Sequence, residues 1–304
     1  MRCDTVLLAL LLGAQGAPDG WVRHAAPGPG FSPDRTCASH SRRIWAVDAT
    51  ADGIRVTESR AETTPHRAPF PIPFAEVLPP PPPGFPPPPP PSPPEGSART
   101  SPDPVADLAK RAEHAGPSHV VPFGRGWLVG FSFGEYGGSL WWSPTAGTPG
   151  RKLLNENVLA IVPLRSGDEA MVFVGLAHLS LDAGRVLRVR MRNGAPEVTQ
   201  VVDLGTEPQA ALLERDGSVL ILTSHQLRRL WPDGRMVALC DVDTSLLSPS
   251  TIAVGRGGEV YLGMKQYLAR LTLAPSAARC SVEWFVPKDC TRFVDKDLDC
   301  VCGR

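Results

Sequence analysis

The sequence is short of lysine and has no net charge. Lys and Arg together number 31, only five of them Lys (Lys110, Lys152, Lys265, Lys288, Lys296), and Asp plus Glu also number 31. Without a basic excess the chain has no field to hold a phosphate backbone or an anionic membrane surface, so nucleic acid is set aside as a partner. The scarcity of Lys beside many Ala, Gly and Pro fits the codon usage of a GC-rich bacterial genome and says nothing of chemistry. No long apolar run is present either. The longest, around Val6 to Leu12, falls well short of the roughly 20 residues that cross a bilayer. There is no G-x-S-x-G nucleophile elbow and no paired CxxC of the kind that builds a zinc knuckle. Sequence alone gives none of the seven His residues a carboxylate partner.

What is present at the start is Arg2, the apolar run, and small residues around Ala14 to Ala17. That order is the plan of a secretory signal peptide over 1–17, with no membrane span left after its removal. Export fits the cysteines. Removing Cys3 leaves Cys37, Cys240, Cys280, Cys290, Cys300 and Cys302, an even set that in an exported chain reads as disulfides. A bridge from Cys290 to Cys300 or Cys302, pinning the tail over 288–304, is the first choice because it closes a short unstrained loop.

Proline is concentrated in one place. Residues 65–104 hold 19 of the 34 prolines, including PPPPPGFPPPPPPSPP from Pro79 to Pro94. Serial prolines fix φ and remove backbone donors, so this insertion is expected as a polyproline II rod outside any sheet. The next segment, DPVADLAKRAEH, places Asp103 as N-cap and Pro104 at the first helical position, and a short helix over 105–116 is expected.

From residue 117 to 287 the texture changes to short β-branched and aromatic runs between Gly, Asp and Pro turns. RDGSVLILTSHQLRRL at Arg215 and RGGEVYLGMKQYLARL at Arg256 match without a gap, 41 residues apart. Related blocks begin at Val120 and Leu159, and the turn glycines Gly124, Gly167, Gly217 and Gly258 are spaced by 43, 50 and 41 residues. A period of about 40 to 50 residues with four strands per unit predicts an all-β protein, a β-propeller of four-stranded antiparallel blades. Four blades are legible. Residues 42–59 (RRIWAVDATADGIRVTES) add a hairpin turning at Ala51, Asp52 and Gly53. Within the 18–64 segment this hairpin favours a count of five blades, with four and six left open. Trp141 and Trp142 are adjacent on one strand, so they should face opposite sides of a blade buried on both.

Pro249 to Gly263, PSTIAVGRGGEVYLG, resembles the repeat of the NHL and SMP-30/gluconolactonase-like propellers. A proline there precedes an apolar strand, a glycine turn and a second apolar strand. The resemblance covers roughly 118–287 and implies an architecture, in an exported bacterial protein. The WD, YWTD, S-x-D-x-G-x-x-W and double-glycine kelch signatures are absent.

The same register places the polar connections on one rim. Glu135, Tyr136, His178, His225, Gln226, Lys265 and Gln266 fall at second-to-third strand turns, and Asn157, Gln209 and Ser250 stand just before innermost strands. These ten are the candidate ligand-binding residues. Their alternative is to be ordinary solvated turn residues. The expected function is a secreted or periplasmic, monomeric binding or scaffolding module with no cofactor, for a protein, small-molecule or carbohydrate ligand. The rival is a metal-dependent hydrolase or lactonase, as the resemblance implies, with calcium or zinc held by Glu135, Asn157 and Glu207. No Asp stands at an equivalent position in the third and fourth blades to complete that set, and no catalytic residue is assigned.

Overall fold

The computed structural model describes residues 17–24, 43–60, 118–145, 148–244, 247–273, 279–288, 292–296 and 299–303. The expected signal peptide save its last residue, the proline-rich insertion, the short helix, Cys37 and Cys290 lie outside the described residues. Nearly all the rest is strand. The first blade is β4 (His119–Phe123), β5 (Gly126–Ser132), β6 (Gly138–Ser143) and β7 (Arg151–Leu154). The second is β8 (Val158–Pro163), β9 (Glu169–His178), β10 (Leu181–Arg192) and β11 (Ala195–Asp203). The third is β12 (Pro208–Leu213), β13 (Val219–Thr223), β14 (Gln226–Leu230) and β15 (Met236–Asp241), and the fourth β16 (Thr251–Val254), β17 (Val260–Gly263), β18 (Leu268–Thr272) and β19 (Ser281–Pro287). Each is an antiparallel sheet in chain order. β1 (Trp21–His24) adds a fifth strand to the outer edge of the fourth blade, pairing Trp21 with Pro287.

The repeated glycines explain the repeated hairpins. Gly124, Gly167, Gly217 and Gly258 sit between the first two strands of their blades at φ of 58, 75, 86 and 86°. That left-handed region is open to glycine at little steric cost. The innermost strands β4, β8, β12 and β16 stand side by side, and β2 (Arg43–Thr50) follows β16. β2 and β3 (Gly53–Arg60) form the expected hairpin, at a fifth position in the series. Trp45 donates its backbone N–H to the Met264 carbonyl at 3.1 Å, and Val47 donates to Thr251 Oγ1 at 2.9 Å. Four complete blades and this hairpin are therefore seen. A second hairpin, β20 (Arg292–Lys296) with β21 (Asp299–Gly303), lies in the C-terminal tail.

Strand alternation sends successive side chains to different inter-blade cores. On β9, Ala170, Val172 and Val174 pack toward the first blade while Met171 and Phe173 pack toward the third, all at 0% exposure. Val172, Val174, Met171 and Phe173 each contribute about 1.5–3 kcal/mol by leaving water. Trp141 and Trp142 divide as the sequence predicts. Trp142 joins the core shared with the second blade, and Trp141 joins Val129 and Phe131 on the opposite face.

Arginine links the blades across their edges. Arg151 donates to the Pro196 carbonyl at 3.1 Å, Arg188 to Pro232 at 2.6 Å, and Arg228 to Leu204 at 2.7 Å. Arg165 donates to the Arg215 carbonyl between neighbouring turns. Burial pushes the Arg228 guanidinium below its usual value. A covalent link is added by Cys240 and Cys280, with Cα atoms 5.3 Å apart, joining β15 of the third blade to the segment entering β19 of the fourth. It pairs two of the six candidate cysteines. The Cys290 bridge favoured from sequence lies outside the described residues, as do the side chains of Cys300 and Cys302. Among the described residues no helix is long and apolar enough to cross a membrane.

Candidate functional site

Some of the second-to-third strand turns and blade-to-blade connections come close together. Between the second, third and fourth blades they enclose a groove of about 580 Å³. His178 closes β9 at one side, His225 occupies the β13–β14 turn at the other, Glu207 and Ser248 come from the connections between blades, and Gln209 from the start of β12. Three of the ten candidates, His178, Gln209 and His225, thus line one groove.

Asn157 and Gln209 turn out to be joints. Asn157 is 6% exposed; its Oδ1 accepts from the Phe133 N–H at 3.1 Å and its Nδ2 donates to the Gly134 carbonyl at 2.7 Å. The amide therefore ties the entry to the second blade onto the β5–β6 connection of the first. Gln209 Oε1 accepts from Thr244 Oγ1 at 2.9 Å, and its Nε2 reaches Ser224 Oγ at 3.5 Å. Thr251, the first residue of β16, accepts from the N–H of Val47. A residue just before or at the innermost strand is well placed for this job, because the neighbouring blade's backbone passes within hydrogen-bond reach.

The other candidates disperse. Glu135 and Tyr136 lie in a one-turn 3-10 helix, Gly134–Tyr136, in the first blade's β5–β6 connection. Glu135 Oε2 pairs with His178 Nε2 at 2.9 Å, and Tyr136 is 48% exposed. Gln226 is engaged with Asp241 Oδ1 and Arg228 Nε, each at 2.9 Å, beside a neighbouring cleft that it shares with His225. Lys265 bridges backbone-to-backbone with Ile44 and donates its N–H to the Leu247 carbonyl. Ser250 is exposed, with its N–H on the Gly263 carbonyl. Gln266, expected to present itself at the rim, is 2% exposed on a left-handed backbone of φ 63°. The metal set is divided in the same way. Glu135 faces His178, the Asn157 amide is committed to backbone, and Glu207 lies in the groove. Among the described residues no three His, Cys, Asp or Glu side chains gather as a metal cluster.

Three groove residues escape the sequence reading: Asp182, Leu179 and Leu181. Asp182 Oδ1 accepts from the Glu207 N–H at 2.6 Å and its Oδ2 from Thr206 Oγ1 at 2.7 Å, so this exposed carboxylate is tied to the connection between the second and third blades. The Glu207 carboxyl is pushed up from its ordinary value, chiefly by burial and further by Asp182, while the Ala177 N–H pulls it back. Leu179 is 94% exposed at φ 53°, and Leu181 is 51% exposed. A two-residue hairpin turn with φ above zero at its first position is normally Gly, Asn or Asp. Leu179 there is the one sequence signal that marks this edge.

No protein-family model and no curated sequence matches the chain. Its fold is similar to a streptogramin B lyase at 11% identity and TM-score 0.37, over 80% of this chain and 68% of that one. A glucose dehydrogenase is similar at 12% identity and TM-score 0.34, over 59% and 75%. An auxiliary nutrient binding protein from Bacteroides thetaiotaomicron is similar at 10% identity and TM-score 0.32, over 53% and 44%. The class is defined by the chain's own sheets. Consecutive four-stranded antiparallel blades, innermost strands side by side and cores between them, make it a β-propeller, as the repeat in Pro249 to Gly263 implies.

Proposed function

We propose that this propeller is a non-catalytic binding module that takes a small molecule, carbohydrate or protein segment in the groove between its second, third and fourth blades. The observation that carries this reading is the groove itself. It gathers polar and apolar side chains from two blades and the connection to a third, at the rim where the sequence expects ligands. Its walls are held in place beforehand by the Asp182, Gln209 and Ser224 contacts, and a preformed concave site binds without the cost of ordering it. The Cys240–Cys280 bridge supports export to an oxidising compartment, secreted or periplasmic. The module is taken as a monomer.

Mapping a fragment and glycan library by amide chemical shifts tests the reading. Shifts clustered on 177–182, 207–209 and 224–225, and weakened by His225→Ala, are expected; shifts gathered on another face overturn it. A rise of several degrees in Tm with calcium or zinc, lost on substituting Asn157 and Glu135, would replace it with metal-dependent hydrolysis.

A further inference from the structure

The charges and the lip of the groove narrow the ligand class, given the binding reading above. Asp182 and Glu207 line it, and among the described residues around it there is neither Lys nor Arg. Both acids are anchored. Asp182 accepts from Thr206 and from the Glu207 N–H, and the Glu207 carboxyl accepts from the backbone of Ala177. Glu207 is half-buried and Asp182 is exposed but held on two partners; of the two histidines in the groove, His178 is paired with Glu135 and His225 stands across on the β13–β14 turn. Directly beside them the β9–β10 turn holds Leu179 and Leu181 out into solvent. An anion entering here meets like charge. A neutral polyol satisfies the acids but leaves the leucine side chains wet. A cationic head with hydrocarbon next to it answers both.

We infer that the groove binds an alkylammonium group, its charge at Asp182 and Glu207 and its hydrocarbon against Leu179 and Leu181. Two sources share that chemistry: a free aliphatic amine and the lysine side chain of a polypeptide. The leucine turn also accounts for an otherwise costly choice. A left-handed backbone disfavours Leu, and nothing in the fold needs an apolar side chain that is almost wholly exposed.

Hexylammonium, hexanol and hexanoate, titrated separately while groove amide shifts are followed, test the inference. Hexylammonium should bind about tenfold or more tighter than hexanoate, and lose that advantage in about 0.5 M NaCl. Glu207→Gln keeps an oxygen for the Ala177 N–H and should take away most of the advantage of hexylammonium over hexanol, Asp182 keeping the rest, and leave hexanol unchanged. Leu179→Asn should weaken hexylammonium and hexanol alike while holding or raising Tm, because Asn tolerates φ above zero. A second probe, acetyl-Leu-Lys-Leu-amide, separates the sources: tighter binding than hexylammonium assigns a polypeptide lysine, and equal or weaker binding a free amine. Hexanoate binding as tightly as hexylammonium, or hexylammonium indifferent to Glu207→Gln, overturns the alkylammonium assignment and leaves the groove as a binding site. Silence of the groove amides toward all the probes overturns both.

Discussion

Asn157→Ala separates a structural joint from a ligand-binding residue. The side chain is nearly buried, and both ends of its amide are on the Phe133 N–H and the Gly134 carbonyl. Each neutral hydrogen bond contributes about 1 kcal/mol net. The penalty for orphaned partners is small, since the Phe133 N–H also reaches the Gly137 carbonyl at 2.8 Å and Gly134 also accepts from Gly137 at 2.9 Å. The expected loss is therefore about 2 kcal/mol, or about 4–8 °C in Tm for a fold of this size. Asn157→Asp sharpens the test. It keeps the acceptor for Phe133 but turns an ionised oxygen toward the Gly134 carbonyl, and near neutral pH it should cost more than Ala. The introduced carboxyl is more easily protonated when folded than when unfolded. Protonation lets it donate to Gly134, so the stability of this variant should recover as pH falls and be lost as pH rises through the raised folded value. Thermal unfolding of the three proteins at pH 4.5 and 7.5 reads all of this. A Tm for Asn157→Ala within a degree of wild type, or Asp outperforming Ala at pH 7.5, refutes the joint. So does a calcium-dependent rise in the Asp variant alone, which would make position 157 a metal ligand.

Glu207→Gln should flatten the stability profile on the alkaline side of the ordinary Glu value. The folded carboxyl is raised by burial, so the stability it contributes is full at low pH and lost as pH rises through its folded value; denaturant titrations at pH 4 and 8 measure the difference. Reducing Cys240–Cys280 frees a loop of about 40 residues in the unfolded chain, worth about 4 kcal/mol on the chain-entropy scale. Tm should fall by on the order of 10 °C in reductant, and a Cys240→Ala/Cys280→Ala variant should lose that part of the response. Gly263→Ala places a Cβ 2.2 Å from the Trp45 carbonyl oxygen and 2.5 Å from Thr251 Oγ1. It should loosen the β2–β3 hairpin from the fourth blade, seen as faster amide exchange over 44–57 with the first three blades little changed, at about 1–3 kcal/mol.

The blades were readable because the physics that builds them is local. A glycine at φ above zero between two apolar alternating runs is one hairpin, and four of them at regular spacing are four blades. The division of Trp141 and Trp142 follows from the two-residue period of a strand once both faces are known to be covered. β1 was not readable. WVRH at residues 21–24 follows a Pro18-Asp19-Gly20 turn but is only four residues long, and its pairing with β19 joins segments 260 to 266 residues apart, a contact no window of sequence contains. The Cys240–Cys280 bridge was hidden for the same reason, since it depends on how the third and fourth blades stack. The imbalance of Arg over Lys looked like codon usage alone. Its structural use is plain in Arg151, Arg188 and Arg228, whose planar, multi-donor forks reach backbone carbonyls across the gap between blades.

The rim shows where this kind of reading stops. A polar side chain before an innermost strand has the same letters whether it holds a ligand or holds the next blade, and Asn157 and Gln209 fit both descriptions until their partners are seen. Burial decides between them, and burial is set by the neighbouring blade rather than by the residue. Once those two amides are engaged with the fold, the polar side chains left to meet a ligand include Asp182, Glu207 and the two histidines, His178 and His225. Asp182 gave no signal because it lies inside a long strand, where an acid usually means a solvated face. Leu179 did give one. An apolar residue where hairpin chemistry asks for Gly or Asn departs from the local rule without any gain to the fold, and such departures are where function is to be sought. Substituting Asn at that position is therefore the most economical experiment on this protein: it should bring the turn back to the rule, steady the hairpin, and, on the alkylammonium proposal, weaken hexylammonium and hexanol alike.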